Sequence, residues 1–279
     1  MHLLVVGAGT MGRWFARSVA PAVDRVAFAD DDETAARAAV AAFAERVADE
    51  PDAPTATVDD GGPVDLVCVA VPISAVPEAV AEHGPRAERA VVDVSGEMET
   101  AVTALADAAP DRERASFHPL FAPDNEPGNC AVVVDRGGPA VRAIREALAD
   151  RGNRVFDTTP AEHDRAMATV QARTHAAVLA FGLAAEDVPE EFHTPVSEPL
   201  ADLVANVTGG NPDVYAEIQA AFEGADAVAD AARRVAEVAD DFEAFAELYA
   251  EAGAAPFGGA AEGAPSRTAA DDRTDGDDT

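Results

Sequence analysis

Lysine is absent from this chain; all 20 of its basic residues are arginine. Aromatics are scarce at 5% while hydrophobic residues make up 48%, mostly Ala and Val, so the core is expected to be built from small side chains. Cysteine occurs only at Cys68 and Cys130, without metal-ligand spacing. That argues against a disulfide framework or a zinc site; both are read as buried thiols, and no metal is expected. No run of 18 or more apolar residues is present, which excludes a membrane-spanning helix. The apolar start at Leu3 reads as a strand rather than a leader, and a cytoplasmic location is expected. Positive charge is short too: 52 acidic residues leave a formal net charge of -32. Nucleic acid and anionic membrane would both repel such a chain, so neither is expected as a partner.

The acids are spread along the sequence rather than blocked. This is the pattern of a surface acidic throughout, as in halophilic proteins that must stay soluble in concentrated salt. At molar salt the Debye length falls to ~3 Å and like charges are largely screened. Stability is therefore expected to depend on salt. A chain of 279 residues has room for one large domain or two smaller ones.

Short apolar runs alternate with helical periodicity through the first half. His2 to Val6 runs into GAGTMG, a helix is expected from Thr10 to Val19, and RVAFAD forms a second strand ending at Asp30. An alanine-rich amphipathic stretch predicts a helix over 33–48, with a weaker strand over 55–58. DLVCVAV (65–71) is a continuous apolar strand stopped by Pro72. AVVDVS ends at Ser95, and 115–118 and 131–134 supply two more strands. Continuous apolar strands separated by helices predict a parallel sheet covered on both faces, an α/β doubly wound fold. After about 158 strands cease, and 160–183 and 198–252 read as helices.

The glycine motif gains its meaning from context: it follows a strand directly and opens a helix. Gly7 permits the tight turn, Gly9 leaves room for a diphosphate, and Gly12 lets the helix pack on the sheet. Ala8, Thr10 and Met11 complete the turn, whose free amides sit at a positive helix end. Asp30, 23 residues after Gly7, is placed to accept both ribose hydroxyls. Asp31 and Asp32 follow it and no arginine is near, so a 2′-phosphate would be repelled and NAD is favoured over NADP. Val71 and Pro72 close the fourth strand and are expected along the nicotinamide side. The expected organisation is a Rossmann NAD-binding domain over 1–157, an all-helical C-terminal domain over 158–252, and a disordered tail over 253–279.

Three later stretches discriminate further: FHPLFAP (117–123), EHDRAMATVQARTH (162–175) and NPDVYAEI (211–218). In this order, and with GAGTMG, they resemble the prephenate dehydrogenases over about residues 1–220. The resemblance implies NAD-dependent oxidative decarboxylation of prephenate to 4-hydroxyphenylpyruvate in tyrosine biosynthesis, with arogenate as the alternative substrate. It implies that His118 takes the proton of the ring hydroxyl as hydride leaves the same carbon, a task suited to imidazole. It likewise places His175 and Gln171, four residues apart, against the substrate, and gives Ser95 a place near the substrate hydroxyl or nicotinamide. His163 also matches the family, but beside Glu162 and Asp164 it reads equally as a helix-start residue. Where the family has a carboxylate-gripping arginine this chain has Asn206; the expected holders of that carboxylate are Arg173 or Arg165, or Asn206 itself through a weaker hydrogen bond. A homodimer made by the helical part is implied as well. Two rivals remain. One is a β-hydroxyacid or imine reductase of similar build; the hydroxyacid branch typically relies on a helix-borne lysine, which this chain lacks. A regulatory protein that binds NAD without turnover would need the glycine turn and Asp30 but not His118 with His175.

Overall fold

A computed structural model describes residues 1–48 and 53–254. Its first strand, β1 (His2–Val6), turns at once into helix α1 (Thr10–Val19). There follow β2 (Arg25–Ala29), α2 (Glu33–Val47), β3 (Thr55–Val58), β4 (Val64–Val69), α3 (Val76–His83), β5 (Ala87–Asp93) and α4 (Glu99–Ala108). The sheet is completed by β6 (Glu113–Pro119), β7 (Asn129–Arg136), α5 (Pro139–Asp150) and β8 (Arg154–Asp157). Spatial order is β3-β2-β1-β4-β5-β6-β7-β8, so the doubly wound pattern reverses direction between β1 and β4. Ligands of such sheets bind at the carboxyl ends of the strands at that reversal.

Alternation along β1 shows why both faces are covered. Leu3 and Val5 pack with Trp14, Phe15, Phe43 and Ile144, from α1, α2 and α5. Leu4 and Val6 pack with Val76, Val80 and Leu105, from α3 and α4. All four β1 side chains are buried, and each such burial stabilises by roughly 1.5–3 kcal/mol.

One pair departs from the expected all-parallel order: β7 runs antiparallel to β6. Only residues 120–128 join them. A parallel return needs a crossover of about a dozen residues or more, so this link can only make a reversal. The last strand, β8, was not legible in the sequence. It has four residues, RVFD, none fully buried. Both outer strands, β3 and β8, are only four residues long.

Beyond β8 the chain is helical, as expected: α6 (Pro160–Met167), a π-helical turn (Ala168–Arg173), α7 (Thr174–Ala184), α8 (Ser197–Thr208), α9 (Pro212–Ala221), α10 (Ala225–Glu237) and α11 (Phe242–Ala254). The chain divides into two compact units, Met1–Val228 and a second from Ala229. The change from strands to helices near residue 158 thus falls inside the first unit. Hydrogen bonds tie two of these helices to the elements that follow the strands: Asp164 of α6 accepts the Met98 and Glu99 amides at the start of α4, and Glu217 of α9 accepts the Ile73 amide in the turn after β4. In the second unit Arg234 and Glu251 form a two-pronged ion pair between α10 and α11. Gly253 and Ala254, placed in the tail by sequence, close α11; the rest of that tail lies outside the described residues. No described helix is long and apolar enough to cross a membrane.

Candidate active site

The turn after β1 has room for glycine alone at two positions. Gly7 has φ +97°, and a Cβ there would meet the Ala70 carbonyl. A Cβ on Gly12 would meet the Gly7 carbonyl, which is how closely α1 sits on the sheet. At Gly9, by contrast, a Cβ would meet nothing within 4 Å, so the space above this residue is open. Gly9 is the N-cap of α1, with no side-chain cap and no acid in the first turn. The first amides of α1, from Thr10 and Met11 onward, therefore have no intrahelical partner and point into that space. Ala8 is buried in the turn and gives its amide to Asp30 Oδ2 at 2.8 Å, while Asp30 Oδ1 accepts from Asp32 at 3.0 Å. Of about four lone-pair positions on that carboxylate two are used, which leaves two for a pair of neighbouring hydroxyls. Asp32 also caps α2 through the Thr34 amide, and Asp31 is exposed. An open cradle of amides with a held carboxylate beside it fits a dinucleotide.

Val71 lies against Gly7, and the exposed Pro72 leads into a short turn held from the side. Glu217 accepts the Ile73 amide at 2.8 Å and the Ser74 hydroxyl at 2.7 Å. Ser95 follows β5 and is buried, with its hydroxyl on Asp93 Oδ2 at 2.5 Å. Burial pushes the Asp93 carboxyl up to about 6, although the Ser95 hydroxyl and amide oppose the shift. The Ser95 side chain therefore braces this loop from below. Its neighbour Gly96 is the residue that borders His118.

His118 sits near the end of β6, 6% exposed, paired across the sheet with Ala131. Its Nδ1 is 2.8 Å from Nε2 of His163, and His163 Nδ1 is 2.7 Å from Asp164 Oδ1. Its Nε2 lies 3.5 Å from the Gln171 side-chain nitrogen. Burial above all, and then the neighbouring His163, push His118 down to about 3, with Asp164 opposing. The imidazole is thus neutral at physiological pH. His163 is itself buried, and the cap of α6 is Thr159, so His163 is not the helix-start residue its position suggested.

Gln171 reaches His118 because the helix widens: it stands in the π turn, a feature common at functional sites. His175 begins the next helix and packs edge-on to Tyr215 of α9, ring centres 4.9 Å apart. Its Nδ1 is buried without a partner, and burial lowers its pKa. The structure therefore brings His118, Gln171 and Gly96 together at the same strand ends as the glycine turn. Arg173 is exposed and bonds Thr169, Arg165 is exposed, and Asn206 lies exposed on α8. Asp164 and Glu217 were not singled out from sequence. Asp164 was visible only as an acid beside a histidine, and Glu217 only as one letter of NPDVYAEI.

No family model matches the chain. It is 38% identical over 163 residues to a 4-amino-4-deoxyprephenate dehydrogenase of Streptomyces pristinaespiralis, covering 53% of this chain and 54% of that protein. To a probable arogenate/prephenate dehydrogenase of Methanocaldococcus jannaschii it is 26% identical over 170 residues, covering 56% and 38% respectively. The chain spans about half the length, or less, of the curated relatives it matches. Among solved structures, a prephenate dehydrogenase of Aquifex aeolicus, in complex with hydroxyphenyl propionate and NAD+, superposes with TM-score 0.64 at 16% identity, covering 91% of this chain and 96% of that one. That likeness shows a shared fold. The resemblance read from the four motifs agrees with these relatives.

Proposed function

We propose that this chain is an NAD-dependent dehydrogenase that converts prephenate to 4-hydroxyphenylpyruvate by oxidative decarboxylation. The observation that carries the reading is His118: a buried, neutral imidazole whose Nε2 faces Gln171 and Gly96 at the strand ends where the glycine turn also opens. NAD, when bound, would supply the hydride acceptor. The α1 amides would hold its diphosphate and Asp30 its adenosine ribose hydroxyls, with Asp31 and Asp32 disfavouring a 2′-phosphate. His118 Nε2 would take the proton of the hydroxyl on the carbon being oxidised, a role worth about 10²–10⁴ in rate. Gln171, whose Oε1 is buried without a partner, and His175 would orient the substrate. The helices after residue 158 would form the substrate side. Their exposed apolar side chains, including Leu179, Leu183 and Leu203, support a homodimer covering that face.

The test is direct. Purified protein with prephenate and NAD in molar salt is expected to generate NADH absorbance. His118→Asn is expected to abolish turnover by about a hundredfold or more while binding NAD with unchanged affinity by calorimetry. Unchanged turnover in this variant would leave the regulatory reading in its place. The 38% identical relative favours a second reading, in which the ring carries an amine instead of the hydroxyl. The His118 imidazole would accept a proton from either group, so kcat/KM measured on both compounds, and on arogenate, separates the readings.

A further inference from the structure

The row Asp164, His163, His118, Gln171 is anchored at one end by a group that can only accept. A carboxylate can only accept hydrogen bonds. Burial pushes the Asp164 carboxyl up, but the bonds from His163 and from the Met98 and Glu99 amides outweigh it and hold the group below its usual range. Asp164 is therefore ionised and His163 Nδ1 carries the hydrogen that it accepts at 2.7 Å. With a single N–H on its ring, held at Nδ1 by Asp164, His163 would leave Nε2 bare, and across the 2.8 Å contact His118 Nδ1 would then donate. That arrangement would leave His118 Nε2 without a hydrogen, turned towards the side-chain nitrogen of Gln171.

We propose that His163 and Asp164 are positioning residues that fix the tautomer of His118 and leave Nε2 as the proton acceptor of the site. The inference rests on His118 being the base. When Nε2 gains a substrate proton, an N–H bond forms there as the substrate O–H bond breaks, and His118 keeps its Nδ1–H donated to His163 Nε2. His163 stays bonded to the ionised Asp164, whose negative charge offsets the positive charge arriving on the histidine pair. In the hydrolase triad, likewise, the acid orients the imidazole and stabilises its charged form without itself taking the proton. Glu97 is the other charged group beside Asp164; burial first, and then Asp164, push its carboxyl above the usual range.

The test reads the tautomer itself. The chain has six histidines, so imidazole nitrogens can be resolved by NMR of ¹⁵N-histidine-labelled protein, with His118→Asn supplying the assignment. In dinucleotide-free wild type, His118 is expected to show a protonated Nδ1 and a bare Nε2. Asp164→Asn puts a carboxamide in place of the acceptor and is expected to remove that preference, lowering kcat about a hundredfold or more with KM changed only a few-fold. Asp164→Glu is expected to restore the tautomer and part of kcat. A protonated Nε2 in wild type overturns the proposal, as does an Asp164→Asn enzyme with wild-type kcat. Asp164 also caps α4, but a purely structural role would lower stability without moving the tautomer. Failure of wild type to oxidise prephenate would count against the functional reading alone, since the spectrum is read without substrate.

Discussion

Three glycines in six residues look interchangeable in a motif, yet each meets a different environment. A Cβ on Gly7 collides with the Ala70 carbonyl on a backbone at φ +97°, whereas one on Gly9 would enter open space. Gly7→Ala is therefore expected to destabilise the fold, by about 1–3 kcal/mol from backbone strain alone. Gly9→Ala should melt close to wild type and bind NAD more weakly, which paired thermal melts and calorimetry would reveal. His118 has its own signature in stability. Its folded pKa lies near 3 against 6.5 for the free side chain. The folded state thus refuses a proton that the unfolded state takes. Nothing is lost above pH 6.5, and stability falls progressively as pH drops below it. One unit below that value the penalty is about 1 kcal/mol, and His118→Asn should lack it. Denaturant unfolding of both proteins at pH 7.5 and 5.5 gives the comparison.

Elements were legible in proportion to how strongly their own residues announce them. β1, α1 and α2 carry clear apolar runs or a glycine motif, and their bounds agree with the structure closely. β8 and the antiparallel turn of β7 are decided by the length of the link and by packing partners distant in sequence, which no local period encodes. The π turn is likewise invisible to a 3.6-residue period, and it is what carries Gln171 to His118. The site followed the same rule. His118 and the glycines stood out by motif, but the partnership of His163 with His118 spans 45 residues and needed the fold. Glu217 acts at this scale too, clamping the loop after β4 to α9 through two hydrogen bonds. Its replacement by Ala leaves the Ile73 amide without a partner, costing about 1–3 kcal/mol. Faster amide hydrogen exchange at Ile73 and Ser74, with β1 unaffected, is the expected result.

Charge belongs to the molecule as a whole. With a net charge of -32, self-repulsion acts on every element at once, and the few strong ion pairs, such as Arg86 with Asp59, are local. The melting temperature is expected to rise between low and molar salt. Each kcal/mol of relieved repulsion should raise it by about 2–4 °C in a chain of this size. An unchanged melt would show that the acidity has no bearing on stability. Salt that quiets repulsion within one molecule quiets it between molecules as well. Copies are then free to approach, and the danger of an open sheet is zipping of one outer strand onto another. β3 and β8 offer such a neighbour only four residues apiece. Where electrostatic distance can no longer keep chains apart, brevity of the outer ladder still does.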